Sequence, residues 1–582
     1  MGILVISKID KRSKFFQNKI NKSMRIRQAK IFHIFIATIV AMLYILCVPL
    51  TTSAKSSQPG PCIECEIEAI QALFPPESEI TIYNAKKETR DNFPMPFCLV
   101  DGNVITHGPG VEDGIVNFRV SLPDKFSNRY IFSALGGSAG YLHDPITDPV
   151  YGFYHNTAQR LIDGYAVATS DTGSQTSGCE YGFAWNRTKA FDHDQRGVHL
   201  SAVITQTITK AYYGLDYKKK KNCASKKLYR YIIGGSGGGR SGMVSAIHYP
   251  EDFDGYIVGW PGLNSYNQIF FGKIASFIMD NPEAWISPEE TEQLEAAIVE
   301  QFDGSDGAID GLVWDPTKIN FDPASLGIFT PLQLQTIDII TGGISFDGKT
   351  YYPGFPLTNP NGWSMLLIGM TPPDTWDGLP GVLQCFNTSS MGLYGPDYDF
   401  LTEFDFDYPP DYLDWAQTYA EVFPGSGTQE PSELDGLRRS GGKMIIFHGV
   451  SDNAIAVGDT IRFYDELADL NHGYGLTQTF ARLFLAPGVF HGWGGPGAAP
   501  NDIYEQALEA AVRWVENGKP PKALKPKSSP PAVPRTYLLC PYPQKSEFLG
   551  GDVNDASNWV CRKPEPPWNN WKKWMNFNRN NN

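Results

Sequence analysis

The chain has 582 residues, is rich in glycine, proline and aromatics, and carries a formal net charge of −14. Length and composition fit a large globular core with more than one domain, and exclude a disordered or fibrous protein. Residues 1–54 hold nine Lys/Arg and one Asp, or +8, which leaves 40 basic and 62 acidic side chains, or −22, in the rest; so acidic a body argues against nucleic-acid or anionic-membrane partners.

The first segment is an address. IFHIFIATIVAMLYILCVPL, residues 31–50, is apolar and about bilayer length, follows Arg25, Arg27 and Lys30, and ends in small residues up to Ala54. It reads as a secretory signal peptide over 1–54 with an over-long basic region, Met24 being a more usual start. The alternative is an uncleaved anchor through residues 31–50. Without the leader eight cysteines remain, at 62, 65, 98, 179, 223, 385, 540 and 561. An even count in an exported chain predicts disulfides. Cys62-x-x-Cys65 has redox or metal spacing, but no second such pair completes a zinc site. A Cys540–Cys561 bridge would contribute roughly 3 kcal/mol in the chain-entropy model. The run Lys218 to Lys221 reads as a solvated loop.

From 129 to 260 short apolar runs (YIFSAL, YAVATSD, YRYIIG, YIVGW) alternate with helical patterns such as HLSAVITQTITKAYYG. This β–α rhythm predicts a mostly parallel sheet with helices on both faces. The rhythm breaks from 263 to 431 and resumes over 432–562 with KMIIFHGVSD, a helix at 460–470, RLFLAPGVFHG and a helix at 502–517. The middle therefore reads as an insertion into one α/β domain whose first part spans 55–262. Residues 519–535 read as a linker, and 563–582 as a disordered tail.

Two G-x-S-x-G matches occur, GGSAG at 136–140 and GGSGG at 234–238. The second has the right context: a strand-like run ends at Ile233, and Met243, Val244, Ala246 and Ile247 mark a helix. That is the strand–turn–helix of a nucleophile elbow, in which the serine is strained and its neighbours must be small. Ser236 is thus the expected nucleophile. Pro145 spoils a helix after Ser138, so Ser138 reads as structural, and Gly136 and Gly137 as the loop that donates an oxyanion amide. A hydrolase of this kind needs an acid and a base downstream in that order. Asp452, just past one strand, and His491, past the next, fill the roles. His448 and His472 read as packing or surface residues, and Asp459 and Asp465 as helix-face residues.

With these parts in place the chain resembles the tannase/feruloyl esterase family of secreted α/β-hydrolases with a lid domain. The matching stretches run from about 62 to 561 and include GGSAG, GYAVATSDTG, GGSGGGRSGMVSAIHYPEDFDGYIVGWPG, DGLVWDP, GGKMIIFHGVSD, FHGWGGPG and GDVNDASNWVC. The resemblance implies the α/β-hydrolase fold with residues 263–431 as lid, Ser236 as nucleophile, His491 as base and Asp452 as its orienter. The amides of Gly237 and Gly137 form the oxyanion hole. It also implies a calcium ion in FDGSDGAIDGLVWDP, held by Asp303, Asp306 and Asp310 and by the carbonyls of Ala308 and Leu312, a donor set suited to a hard cation. One departure is large. Members of the family carry bonded cysteines beside the nucleophile and the histidine, where this chain has Gly235 and Gly492. The expectation is weaker positioning of His491, or compensation by packing through Trp493. A second cysteine pair, flanking the calcium loop, is replaced by Phe302 and Ile319.

The resulting expectation is a secreted serine esterase acting through an acyl-enzyme on small or polysaccharide-linked esters of hydroxycinnamic or gallic acid. It has no nucleic-acid partner, and no membrane partner once the leader is cleaved. The rivals are an esterase of other aromatic monoesters, a peptidase on the same fold, and a catalytically silent hydrolase used as a binding surface.

Overall fold

A computed structural model describes residues 62–215, 227–372, 381–425, 429–492, 494–529 and 532–563, the side chains of Asp306, Thr317, Gly381 and Leu383 aside. The leader, Cys223, the Lys218 to Lys221 run, Trp493 and nearly all of the expected tail lie outside these residues.

Nine strands form one sheet: β1 (Ile80–Glu88), β2 (Phe97–Thr106), β3 (Gly114–Pro123), β4 (Arg129–Ala134), β5 (Tyr165–Ser170), β6 (Tyr229–Gly235), β7 (Gly255–Gly259), and, after a two-stranded excursion through β8 (Ile344–Phe346) and β9 (Lys349–Tyr352), β10 (Lys443–Gly449) and β11 (Ala481–Ala486). The order is β1-β2-β3-β5-β4-β6-β7-β10-β11. The pairs from β5 to β11 are parallel, whereas β1, β2 and β3 join as an antiparallel ribbon, with β3 antiparallel to β5. The ribbon is absent from the sequence expectation, which begins the sheet at 129.

Alternate residues of the parallel strands enter two cores, one on each face. Tyr130, Phe132, Ile232, Met444 and Ile446 pack with helices α1 (Gly197–Tyr213), α2 (Gly237–His248) and, further on, Val457–Leu470. Ile131, Tyr231, Ile233, Ile445 and Phe447 pack under the helix Pro500–Asn517. Burial on both faces is why these strands read as unbroken apolar runs. Truncating a side chain as enclosed as Ile445 to alanine costs about 2–5 kcal/mol.

Between β7 and β10 the described residues add no strand to this sheet. They form α3 (Tyr266–Asp280), α4 (Pro288–Phe302), α5 (Pro331–Gly342), α6 (Gly381–Tyr394) and α7 (Pro409–Val422) around a third core that includes Phe270, Ile298, Phe386 and Trp415. Two of these helices start on capping boxes with proline at the first position: Ser287 with Glu290, and Thr330 with Gln333. Gln333 also donates to Glu290 at 3.0 Å, so each start braces the other. The third core takes in Tyr181, Ala184 and Ala190 from the first part of the chain, and a disulfide joins Cys179 to Cys385 on α6.

The stretch 519–535 is no linker. Leu524 pairs with Leu539 and Lys527 with Thr536, and the amide of Ala499 donates to the Lys527 carbonyl. Prolines mark this segment because it is an irregular edge, where a missing N–H costs no ladder bond. Below, α8 denotes Val457–Leu470 and α9 denotes Pro500–Asn517.

Candidate active site

Ser236 stands alone between β6 and α2, with φ 57° and ψ −123°. Its amide donates to the carbonyl of Gly259 at the end of β7 (3.1 Å), and its carbonyl accepts the first helical bond, from Arg240 (2.9 Å). A non-glycine residue at positive φ is strained, and here that strain lifts the side chain clear of the sheet. The glycines follow from contact distances. A β-carbon on Gly237 would lie 2.5 Å from the Gly137 carbonyl oxygen and 2.9 Å from its nitrogen. The elbow and the GGSAG loop therefore touch backbone to backbone. Gly137 is itself at φ 57°. The Gly136 amide donates to the Tyr151 hydroxyl (2.6 Å) and the Ser138 amide to Gly178 (3.0 Å), while the Gly137 amide between them has no partner among the described residues. Burial pushes Tyr151 up to about 12, so it meets the Gly136 amide as a neutral phenol. Ser138 is fully buried, and its carbonyl accepts from Ser174.

The acid and the histidine meet across the ends of β10 and β11. His491 Nδ1 lies 2.9 Å from Asp452 Oδ2 and 3.1 Å from Oδ1. A carboxylate only accepts, so Nδ1 carries a proton, and in the neutral ring Nε2 is the nitrogen with the free lone pair. Asp452 also accepts from the amides of Ala454 and Ile455, both at 2.8 Å, and its Oδ2 is 3.3 Å from His448 Nε2. Burial alone would raise this carboxyl, but the His491 and His448 imidazoles hold it well below the usual carboxylate range. His448 is fully buried, with Nε2 3.0 Å from the Ile455 carbonyl and Nδ1 2.9 Å from Thr460 Oγ1. It does pack, as expected, but against the acid itself. Asn453 escaped the sequence reading altogether: its Oδ1 accepts from the His491 amide (3.0 Å) and its Nδ2 donates to Gly362 of the insertion (2.6 Å).

Ser236, His491, Gly137 and Gly237 all line one cavity of about 100 Å³, roofed by residues of α3, α6 and α7. Beside Gly235 there is no room for any side chain. A β-carbon there would lie 1.9 Å from the Tyr504 hydroxyl and 2.7 Å from Trp260 Nε1. Trp260 packs edge-on to Tyr504 (5.5 Å between centroids) and to Phe447 (5.1 Å), with its ring 6.1 Å from that of His491. Aromatic packing thus fills the space beside the elbow, through Trp260 and Tyr504. Gly492, at φ 80°, has open space where its β-carbon would stand.

In the acidic loop the Asp303 carboxylate accepts from the amides of Asp310 (3.0 Å) and Gly311 (2.9 Å). Asp310 accepts from the Leu312 amide (3.0 Å) and Trp314 Nε1 (3.1 Å), and is ion-paired with buried Arg535. The Asp303 oxygens and Asp310 Oδ1 each retain a second lone pair, of the hard kind a calcium ion takes, whereas Asp310 Oδ2 accepts from both Trp314 and Arg535; left-handed Gly307 and Gly311 turn the loop. Ala308 and Leu312 are buried. Among the described residues no three His, Cys, Asp or Glu side chains converge as a metal centre, and Arg535 already sets a fixed cation against Asp310. Cys540 is bonded to Cys561, and Cys65 to Cys98, so the C-x-x-C spacing at 62–65 does not mark a local pair. Cys98 lies on β2, in the ribbon the sequence reading missed.

A nine-stranded, mostly parallel sheet with helices on both faces and a strained serine at a strand–helix turn is an α/β-hydrolase. The model of the family described as "Tannase and feruloyl esterase" matches residues 100–361 and 385–562, and the chain belongs to that family; it is a carboxylic ester hydrolase. A probable feruloyl esterase of Arthroderma benhamiae is 28% identical over 499 residues, covering 82% of this chain and 87% of the relative. The mono(2-hydroxyethyl) terephthalate hydrolase of Piscinibacter sakaiensis is 27% identical over 513 residues, covering 77% and 82%. Among solved structures, feruloyl esterase B from Aspergillus oryzae superposes with a TM-score of 0.68 at 19% identity (85% of this chain, 99% of that one). A tannin acyl hydrolase from Aspergillus niger gives 0.66 at 19% (88% and 98%).

Proposed function

We propose that the chain hydrolyses esters of aromatic acids through an acyl-enzyme on Ser236. The observation that carries this reading is the His491–Asp452 pair, whose proton arrangement leaves an acceptor nitrogen on the cavity that Ser236 also lines. His491 Nε2 takes the serine proton as Oγ attacks the ester carbonyl. The amides of Gly237 and Gly137 hold the oxyanion, and His491 then protonates the departing alcohol. Water, deprotonated by the same nitrogen, releases the acid. A family composed of feruloyl esterases and tannases supports an aromatic acyl group, ferulic or gallic in type. The test is a panel of methyl ferulate, methyl gallate and small peptides, together with labelling by a serine-directed phosphonate. Esters turned over by wild type and not by Ser236→Ala support the reading. An unlabelled, inactive wild type favours the silent binding surface, and cleavage of peptides alone favours a peptidase.

Two further parts belong to this proposal. The protein is exported with residues 1–54 removed, which its disulfides support, such bonds persisting in oxidising compartments. Mass spectrometry of the secreted protein checks the new terminus. The acidic loop holds structural calcium through Asp303, Asp306, Asp310 and the carbonyls of Ala308 and Leu312. Chelation with EGTA then lowers Tm by several degrees, whereas an unchanged Tm assigns the neutralising role to Arg535 alone.

A further inference from the structure

Just past β4 the GGSAG loop leaves the sheet. The last ladder partners there are Phe132 with Ala168 and Ala134 with Gly234. Beyond them the loop has no ladder to satisfy its amides, yet a backbone N–H enclosed by protein needs an acceptor. The loop meets this need on either side of Gly137. On the far side the Ser138 amide finds the Gly178 carbonyl (3.0 Å). On the near side the acceptor is not backbone at all: the Gly136 amide donates to the Tyr151 hydroxyl at 2.6 Å. The Gly137 amide lies between these two, and Gly137 lines the cavity together with Ser236.

Tyr151 is aimed from a separate segment that two aspartates fold. Asp144 Oδ1 accepts from the amides of Ile146 and Thr147, both at 2.9 Å, and Arg90 Nη1 lies 2.7 Å from each oxygen of the same carboxylate. A few residues on, Asp148 Oδ1 accepts from the amides of Val150 (3.0 Å) and of Tyr151 itself (2.7 Å). Turns closed by a side chain in this way fix the backbone where no helix or strand does. A single helical turn, Tyr151–Tyr154, follows. The Tyr151 ring packs beside those of His143 and His155, at 6.2 and 5.6 Å between centroids. A β-carbon built on Gly136 would stand 3.0 Å from the Tyr151 hydroxyl and 3.6 Å from the Ser236 β-carbon, so phenol, loop and elbow meet at Gly136. Tyr151 does not line the cavity itself, so its hydroxyl acts on the loop rather than on a substrate.

We propose that Tyr151 is a positioning residue for the oxyanion hole: its hydroxyl holds the Gly136 amide and so keeps the next amide, that of Gly137, turned towards the carbonyl oxygen of a bound ester. This rests on the acyl-enzyme reading, in which Gly137 is an oxyanion donor. The test is steady-state kinetics on methyl ferulate and methyl gallate, together with the rate of labelling by a serine-directed phosphonate, whose phosphoryl oxygen takes the oxyanion's place. Tyr151→Phe keeps the ring and removes only the acceptor. It is expected to lower kcat by about 10- to 30-fold with KM within about twofold, less than the loss of a donor itself would cost, and to slow labelling by a similar factor. Tyr154→Phe, on the same helical turn, changes neither rate. Asp148→Ala frees the turn and lowers kcat in the same selective way, whereas Asp148→Asn keeps an accepting oxygen and restores it. Tm identifies the folded variants, and the Asp148 pair carries the test should Tyr151→Phe unfold. An unchanged kcat in folded Tyr151→Phe, an equal loss in Tyr154→Phe, or a loss confined to KM overturns the proposal. If wild type and Tyr151→Phe hydrolyse esters equally well, this inference alone falls. A wild type that is neither labelled nor active removes the reading beneath it as well.

Discussion

The two arms of the site are held by opposite means. Ser236 is placed by the absence of side chains: the backbones of Gly237 and Gly137 are in contact, and Gly235 lies against the rings of Trp260 and Tyr504. His491 is placed by polar bonds: Asp452 on its ring, Asn453 on its amide, and His448 behind the acid. Steric placement tolerates no added atom, whereas placement by hydrogen bonds degrades one bond at a time. The serine arm is thus the brittle one and the histidine arm the adjustable one.

The largest effect that separates the two arms is expected at Gly237. Gly237→Ala drives a methyl group into the Gly137 backbone and displaces the amide proposed to hold the oxyanion, lowering kcat by about 100- to 1000-fold. Steady-state kinetics on a methyl ester reads this. Gly235→Ala is next, destabilising by about 1–3 kcal/mol because the buried Tyr504 hydroxyl occupies that space. Adding Tyr504→Phe recovers part of the loss in denaturant unfolding, and a double mutant no better than Gly235→Ala alone would deny the steric account. On the adjustable arm, Asn453→Ala leaves Ser236, Asp452 and His491 unsubstituted and removes the bond to the His491 amide; kcat falls about tenfold with little change in KM.

The most gradual change, spread over several groups, comes with acid. Burial holds His143 at about 4 and His155 at about 3, with His193 well below its ordinary value, against about 6.5 in an unfolded chain. The unfolded state binds protons below 6.5 that the native state refuses. Stability is therefore full above that pH and declines from there towards 4, by about 1.4 kcal/mol per pH unit for each histidine. A series of Tm against pH checks the slope, and His155→Gln should flatten it.

The parallel strands, the strained turn at Ser236 and the pairing of Asp452 with His491 were legible because each carries a local signal: an apolar run buried on both faces, a serine among glycines, an Asp and a His just past strand ends. The antiparallel ribbon was legible in principle. Val116, Phe118, Val120 and Leu122 on β3 alternate as fully buried residues, and a period of two went unread before residue 129. Asn453 and His448 act through single hydrogen bonds, which leave no periodic trace in a sequence. Tyr504 reaches the elbow from the far end of the chain, so its part beside Gly235 exists only once α9 is folded against β6 and β7. The Pro- and Lys-rich stretch after 518 was misread because composition records a missing N–H but not the antiparallel bridges that its other residues make.

Asn453 has two allegiances. One end of its amide grips the backbone under the His491 imidazole, and the other grips Gly362 in the covering insertion. If that cover swings far enough to let a bulky ester in, either the Gly362 tether snaps or the imidazole is dragged out of alignment. Admission and proton transfer then become alternating phases of one cycle, so turnover on large substrates would be timed by reclosure rather than by bond cleavage.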